Sequence, residues 1–505
     1  MNILSFQGRN RILHLTWFAF FLTFVVWFNF APLATTIKED LGLSIDQIKT
    51  IAICNVALTV PARVIIGMLL DRFGPKATFS VLLMYSAIPC LLFASANDFN
   101  TLVISRLLLG IVGAGFVIGI RMVSEWFPPK EIGVAEGIYG GWGNFGSAAS
   151  AFTLPSVALA LSFISGGSSN WRLAIALTGI AAAVYGVIYF FSVEDTPPGK
   201  VYQRPERHGG MEVTSKRDFW FLLLMNLPIL GVLALLAWRL KGVGFLNQGQ
   251  LLLVWLVLLG LYAFQAYNAW QANKSLMTGK KRYPAEDRYN FSQVAILELT
   301  YVTNFGSELA VVSMLPAFFE LTFNLNPAQA GMIASSYAFM NLMSRPSGGL
   351  ISDKMGSRKW TMAILLGGMG IGYLMMGTVN NSWFLPLAIV LTMACSFFVQ
   401  AAEGSTYAIV PLIKRRVTGQ IAGNVGAYGN VGAVCYLTLY SLLPAGAAAD
   451  RTFFQVLGIA GLIVAFLCAF FLKEPKGSFA EFHEGEEAEL EPIPEPVIND
   501  SKSDW

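Results

Sequence analysis

The sequence predicts an all-α membrane protein that crosses the bilayer many times and consists of two related halves. Its 505 residues are 55% hydrophobic and only 13% charged, about half the charged fraction of a soluble domain. The apolar residues form long blocks, such as 13–30, 77–94 and 457–472, which approach the length of a helix that crosses roughly 30 Å of hydrocarbon. Because nothing alternates with period two, a closed β-barrel is excluded.

Fourteen apolar segments between charged or Gly/Pro breaks are the predicted membrane spans. Six lie in the first part of the chain and six in the last, at 12–37, 48–70, 77–97, 101–124, 132–162, 171–193, 292–320, 328–351, 359–380, 384–411, 418–444 and 453–472. The other two, 218–238 and 250–270, are interpreted as extra helices inserted as a pair. A re-entrant or interfacial hairpin is the alternative for that pair.

These spans divide the chain into four predicted regions. An N-terminal six-helix bundle occupies 1–196, a central linker with the extra helices 197–290, and a C-terminal six-helix bundle 291–473. Residues 474–505 form an acidic tail with too little apolar surface to fold, so this tail is expected to be disordered. Basic residues lie mostly in the loops on one side, which predicts a plasma (inner) membrane protein with both termini in the cytoplasm.

The composition also limits the chemistry that the chain can carry out. The five cysteines lie in apolar segments without CxxC spacing, and the three histidines are scattered. No metal site, disulfide framework or cofactor is therefore expected. No set of nucleophile and base indicates an enzyme, and no nucleic-acid partner is expected. We expect a monomer that is surrounded by the lipid bilayer.

Two motifs occur twice with almost the same displacement, which indicates that the halves are duplicates. The first motif and its copy 282 positions later (345 − 63) share an arginine, two glycines and an aspartate: Arg63, Gly67, Asp71 and Gly74, then Arg345, Gly349, Asp353 and Gly356. The second motif has a glycine before an asparagine and recurs after 286 positions (430 − 144): Gly143 and Asn144, then Gly429 and Asn430. Such repeats place a site at their interface, near the bilayer midplane.

The first motif resembles the cytoplasmic loop motif of the major facilitator superfamily. The paired Gly/Asn segments resemble the two nitrate signatures of the nitrate/nitrite porter family, and the stretch up to Trp142 is similar to cyanobacterial-type nitrate/nitrite permeases. The resemblance implies a major facilitator fold with two six-helix bundles, or 12 core transmembrane helices. It also implies that nitrate and nitrite are the transported anions.

Arg63 and Arg345 lie inside apolar context, about two turns before the ends of their helices. An arginine in the membrane interior must face a partner or a wet cavity. Its guanidinium stays charged and offers a planar fork of donors that suits a trigonal oxyanion. We predict that both arginines clamp the anion, which matches the substrate arginines that the resemblance implies. Structural pairing with backbone carbonyls or a glutamate is the alternative.

Further residues are expected around this clamp. The resemblance implies that Tyr301 donates a hydrogen bond to the anion and that Phe305, Phe116 and, less directly, Phe30 pack on it. Ordinary core packing is the alternative for the phenylalanines. Two asparagines at matched positions are predicted to line the site, while the glycines beside them permit close helix approach and helix sliding: Asn144 and Asn430.

Three acidic residues lie deepest in the second half: Glu298, Glu308 and Glu403. Glu298 and Glu308 share one helical face with Tyr301 and Phe305. Because a buried glutamate can hold a proton, all three are candidates for coupling proton movement to anion entry. Glu308 is preferred because the family's seventh span can carry an aromatic residue there. A counter-ion role beside an arginine is the alternative.

The resemblance implies a gating role for the motif residues near the cytoplasmic loops, where the aspartates would tie neighbouring helices through basic partners: Gly67, Asp71, Gly74, Gly349, Asp353 and Gly356. The sequence thus predicts a secondary active transporter that imports nitrate and nitrite by alternating access, with proton symport as the preferred coupling. Nitrate/nitrite exchange is the alternative coupling. An anion sensor without flux is the alternative from another functional class.

Overall fold

A computed structural model describes residues 5–164, 169–205, 209–242, 244–285, 287–325, 327–443 and 446–481. All regular elements in these ranges are helices. Within the described residues, eleven helical segments are long and apolar enough to cross a membrane. Among the other predicted spans, 328–351 coincides with two shorter helices, and 359–380 and 418–444 each coincide with one helix. The prediction of an all-α, multi-pass protein is confirmed.

Ten α-helices account for the six predicted spans of the first part: α1 (Gly8–Trp27), α2 (Ala34–Leu41), α3 (Ile45–Ala57), α4 (Thr59–Phe73), α5 (Pro75–Tyr85), α6 (Ala87–Ala94), α7 (Phe99–Gly110), α8 (Gly115–Trp126), α9 (Ile132–Ala160) and α10 (Trp171–Ser192). Several spans are broken at turns within the apolar block. For example, α7 and α8 are joined by the 3-10 turn Ile111–Ala114. These breaks leave the predicted span boundaries within a few residues of the helix ends.

Two long helices follow, α11 (Lys216–Gly242) and α12 (Gln248–Met277). They pack against each other, and α11 also lies against later helices of the chain. The outer face of α12 exposes large apolar side chains such as Leu252, Leu256 and Phe264. Their length and apolar composition favour two membrane-crossing helices over an interfacial hairpin.

Seven α-helices account for the last six predicted spans: α13 (Phe291–Phe323), α14 (Pro327–Phe339), α15 (Asn341–Lys354), α16 (Arg358–Met376), α17 (Leu385–Ile413), α18 (Thr418–Leu442) and α19 (Ala447–Phe471). Two crossings join the halves, because α4 packs on α18 and α9 packs on α15. At each crossing two glycines face each other, so that a β-carbon on Gly67 or Gly349 would overlap the backbone carbonyl of Gly419 or Gly133. Only glycine therefore permits these approaches.

The two ends of the described chain meet the same short loop between α8 and α9. Arg9 forms an ion pair with Glu131 (2.6 Å), and Lys130 forms one with Glu481 (2.7 Å). Both ends therefore lie on one side of the protein. Residues 474–481 were predicted to belong to the disordered tail, but they contact the same side of the protein. For instance, Glu474 accepts a hydrogen bond from the backbone N–H of Arg358 (3.1 Å), at the start of α16. The rest of the predicted tail, 482–505, lies outside the described residues.

Candidate functional site

The two predicted arginines meet at the centre of the molecule, although they come from different halves. Arg63 of α4 and Arg345 of α15 are both buried. Their guanidinium carbons lie 5.4 and 5.7 Å from the centre of the Phe305 ring. One aromatic ring of α13 therefore contacts both positive charges, an arrangement that is favourable by cation–π attraction.

Parallel aromatic rings extend this contact. Tyr301 stacks on Phe305 with 4.9 Å between ring centres, and Phe116 of α8 is parallel to Tyr301 at 6.2 Å. Arg63 also lies over Phe116, at 5.6 Å. Tyr407 of α17 meets Tyr301 edge-on, with the ring centres 5.0 Å apart. Flat rings beside two guanidinium groups form surroundings that suit a small planar anion.

Each arginine packs against the Gly/Asn motif of the opposite half. A β-carbon at Gly137 would lie 2.6 Å from the backbone oxygen of Arg345, and one at Gly140 would lie 3.5 Å from its guanidinium. The copies of these glycines, 286 positions later, contact Arg63 at 2.5 and 3.5 Å in the same way. The Gly/Asn motif of each half therefore contacts the arginine of the other half.

The predicted asparagines lie buried on α9 and α18. The amide nitrogen of Asn144 has no hydrogen-bond partner among the described residues. Asn430 donates a long hydrogen bond of 3.5 Å to the backbone oxygen of Gly426, which also accepts from Arg63 (2.6 Å). A buried amide N–H without a partner costs free energy, so the Asn144 nitrogen is available to donate a hydrogen bond.

Arg345 has two carboxylate partners. Its guanidinium donates to Glu308 (3.2 Å) and forms an ion pair with Glu403. It also donates to the side-chain oxygen of Asn341 (2.8 Å). The Glu308 carboxylate accepts further hydrogen bonds from Asn341 (2.6 Å) and Gln400 (3.2 Å). This network neutralises the positive charge of Arg345 within the apolar interior.

Arg63 is held differently. Its guanidinium donates to the backbone oxygens of Gly113 (3.3 Å) and Gly426 (2.6 Å). Within the described ranges it forms no ion pair with a carboxylate. Backbone oxygens carry only partial charge, so the positive charge of Arg63 stays largely uncompensated. The two duplicated arginines are therefore chemically unequal.

Two of the predicted site residues lie away from this cluster. Phe30 packs under Arg106 (5.5 Å) and beside Phe93 (6.0 Å between ring centres) instead of near Arg63 or Arg345. Its position follows from the chain turn after α1, which ends at Trp27. Glu298 is buried on α13 but stands ten residues before Glu308, or about 15 Å along the helix axis.

Comparisons with known proteins identify the family and confirm the fold. The sequence model of the Major Facilitator Superfamily matches residues 16–280 and 297–501. The chain belongs to the major facilitator superfamily. A solved member of the superfamily, the proton:xylose symporter XylE, shares the fold with a TM-score of 0.59 at 15% identity, covering 92% of this chain and 96% of that chain.

Relatives of higher identity come from cyanobacteria. The chain is 67% identical over 513 residues to the nitrate/nitrite transporter NrtP of Picosynechococcus sp., covering 95% of this chain and 96% of that one. It is 62% identical over 490 residues to the protein of the same name from Nostoc punctiforme, covering 97% of each. The predicted family resemblance is confirmed, and this major facilitator protein is a multi-pass membrane transporter and not an enzyme.

The superfamily motif residues form a second cluster where the halves cross. The Asp71 carboxylate accepts hydrogen bonds from the first backbone N–H groups of α18, at Gly419 (3.0 Å) and Gln420 (2.9 Å). Asp353 accepts from the first N–H groups of α9, at Gly133 (2.9 Å) and Val134 (2.7 Å). Each aspartate therefore caps a helix of the other half, where the helix dipole favours a negative charge.

Basic partners, which were predicted, are also present. Arg358 pairs with Asp353 (2.8 Å), and Arg121 lies 4.0 Å from Asp71. Gly74 and Gly356 end the motif loops with φ of 87° and 74°, a backbone region that favours glycine. The motif residues therefore hold the two halves together on one side of the major facilitator fold.

Sequence reasoning missed three polar residues of the centre: Asn341, Gln400 and Tyr407. Two of them, Asn341 and Gln400, lie one turn before Arg345 and Glu403 on the same helices. The available signal was a polar side chain at helical spacing from a residue already selected. Glu136 lies outside this centre and was also missed; the available signal was a glutamate within an apolar helix, next to a repeat glycine.

Proposed function

We propose that the chain imports nitrate and nitrite across the plasma (inner) membrane, as a monomer with both termini cytoplasmic, by alternating access around the central cluster. The observation that carries this proposal is the meeting of Arg63 and Arg345 on one aromatic ring, between the two duplicated halves. The names of the cyanobacterial relatives support the choice of anion. The excess of basic residues on one side supports the orientation.

The chemistry of the site favours a planar oxyanion. Guanidinium groups present parallel N–H donors that match two oxygens of a trigonal anion. The parallel rings of Phe116, Tyr301 and Phe305 fit the faces of a flat, delocalised ion. The Asn144 amide supplies a further donor.

We infer proton symport from the unequal arginines. The carboxylates of Glu308 and Glu403 compete with an incoming anion for Arg345. If one carboxylate takes up a proton, Arg345 is released to bind the anion, and the site keeps its net charge. Proton uptake and anion uptake then favour each other by linkage. A counter-ion role and a coupling role are therefore combined in the same carboxylates.

Nitrate/nitrite exchange is the second candidate, and Arg63 favours it. Because Arg63 has no carboxylate partner among the described residues, it can hold an anion without any protonation step. In an exchanger this arginine would be a permanent anion-binding site, and the protein would change between its two open states only with an anion bound. A sensor without flux would show binding but no transport.

Purified protein in sealed vesicles separates these candidates. Under proton symport, an inward nitrate gradient should acidify the vesicle interior, and an inward proton gradient should drive nitrate accumulation. Nitrate uptake that requires internal nitrite and moves no protons would replace symport with exchange. Binding without any flux would replace transport with sensing.

A further inference from the structure

Glu136 is a buried carboxyl that the site described above does not use. It lies on α9 and is 2% exposed. Neither of its carboxylate oxygens has a hydrogen-bond partner within the described part of the chain. An ionised carboxylate in such surroundings is very costly, whereas the protonated form is tolerated. The Glu136 side chain is therefore suited to hold a proton while the crossing of α9 and α15 is closed.

The position of Glu136 connects two clusters. The next residue, Gly137, packs against the backbone oxygen of Arg345. Gly133, one turn earlier on α9, donates its N–H to Asp353 at the crossing of the halves. Glu136 thus lies between the anion site and the contact that must open on that side. Gly137 is one residue and Gly133 three residues from Glu136, or about 1.5 Å and 4.5 Å along the helix axis.

Helices α1, α8, α15 and α17 pack against α9. Their titratable side chains include His14, Arg121, Glu125, Arg345, Asp353, Glu403 and Tyr407, and Tyr139 of α9 itself interacts with Glu136 electrostatically. None of these donates a hydrogen bond to Glu136. Tyr407 interacts with Glu136 electrostatically, and its hydroxyl is likewise buried without a partner in the described ranges. It lies edge-on to Tyr301 and so links the anion site to Glu136.

The duplication gives an independent argument. The arginines, motif aspartates and asparagines all recur at matched positions, but Glu136 corresponds to Ala422 (422 − 136 = 286). A packing role common to both halves would not need a carboxyl in one copy only. The carboxyl belongs to a task that the halves do not share.

We propose that Glu136 is a second proton-binding site, through which the proton leaves the Arg345 carboxylates toward the side closed by Asp353. Opening of the crossing admits water to Glu136, which then ionises and releases its proton. The proton of Glu403 or Glu308 passes to the hydrated Glu136 carboxylate before the crossing closes again, and the freed carboxylate restores its ion pair with Arg345. This inference rests on the proposed proton symport.

The test compares three variants in sealed vesicles, with proton flux and nitrate–nitrite counterflow as separate readouts. Glu136→Gln should lose nitrate-driven proton flux and keep counterflow. Glu136→Asp should keep both, because the carboxyl remains. Glu136→Ala copies the second repeat and should behave like Glu136→Gln, so it replaces that variant if glutamine prevents assembly. Glu39→Gln, an exposed glutamate on α2, is the control.

Wild-type proton flux in Glu136→Gln or Glu136→Ala would overturn the inference. Loss of counterflow together with proton flux in all three variants would overturn it as well, since a packing role would then explain the carboxyl. Absence of nitrate-driven proton flux in the unmodified protein is a different result. It would remove the proposed symport itself, and the two failures are thus distinguished.

Discussion

Arg345 donates from Nη2 to the Glu308 carboxylate over 3.2 Å, whereas its duplicate Arg63 donates to backbone oxygens. The surroundings of these two duplicated arginines therefore differ in net charge. Breaking a buried ion pair by removing one partner typically costs 3–5 kcal/mol, on the order measured in other proteins. Removing Arg345 should accordingly reduce the stability of the folded protein more than removing Arg63, even though both are proposed to bind one anion.

Replacing either arginine by lysine should weaken nitrate binding by roughly 1.5–3 kcal/mol, the range for a hydrogen bond to a charged group. An ammonium group cannot reproduce the planar fork of donors. Arg63→Lys and Arg345→Lys are measured by nitrate binding to purified protein, with Arg11→Lys at an exposed position as the control. Near-normal affinity in both variants would contradict the two-arginine clamp.

The carboxylates beside Arg345 should control the pH dependence of uptake. Glutamine copies the protonated form, so Glu308→Gln or Glu403→Gln should remove the stimulation of net uptake by external acid and preserve anion exchange. Glu298→Gln should keep the original pH profile, because Glu298 lies about 15 Å along the axis from Glu308. The measurement is nitrate uptake against external pH, beside counterflow. An unchanged profile in all three variants would favour the exchanger.

Variants of the asparagine and the glycine in the duplicated Gly/Asn motif should distinguish anion binding from helix movement. Asn144→Ala removes a buried donor and should weaken nitrate binding by about 1 kcal/mol. At Gly429 a β-carbon would lie 2.6 Å from the Tyr301 ring and 2.7 Å from the Phe305 ring. Gly429→Leu should therefore displace these rings and stop turnover. Equilibrium binding and transport rate are measured on the same preparations; normal binding in Asn144→Ala would assign that asparagine to packing.

The aspartates at the crossings should hold one side closed. Asp353→Asn weakens the charge-assisted hydrogen bonds to Gly133 and Val134, so the crossing should open more often. A single cysteine at Val134, in a protein without its natural cysteines, should then react faster with a thiol reagent. The same cysteine with Asp98→Asn, at an exposed N-cap on α7, serves as the control. Equal reaction rates would show that Asp353 does not control access.

Much of the fold follows from the sequence because it depends on local patterns. Apolar blocks of membrane length fix the spans within a few residues, as for the predicted span 171–193 and α10. The repeats identify residues that must be equivalent, and symmetry then brings Arg63 and Arg345 together. Glu308 was selected because it departs from the family pattern, and it contacts Arg345.

Other features depend on distances between helices, which the sequence does not contain. The prediction placed Phe30 at the anion, but the chain turns after Trp27 and carries Phe30 to Arg106. The distance between Glu298 and Glu308, in contrast, lies along a single helix and follows from their ten-residue separation. The expected basic partners of Asp71 and Asp353 exist, but the closest donors are backbone N–H groups, which no side-chain pattern reports.

The use of backbone donors has a consequence for mutational drift. At Gln420 and Val134 the aspartates accept hydrogen bonds from backbone N–H groups, which every amino acid except proline has. These two positions can therefore change their side chains and still donate to the aspartates, whereas Gly419 and Gly133 leave no room for a β-carbon. After a gene duplication, one half could therefore acquire a separate task while Asp71 and Asp353 kept their hydrogen bonds to the opposite half.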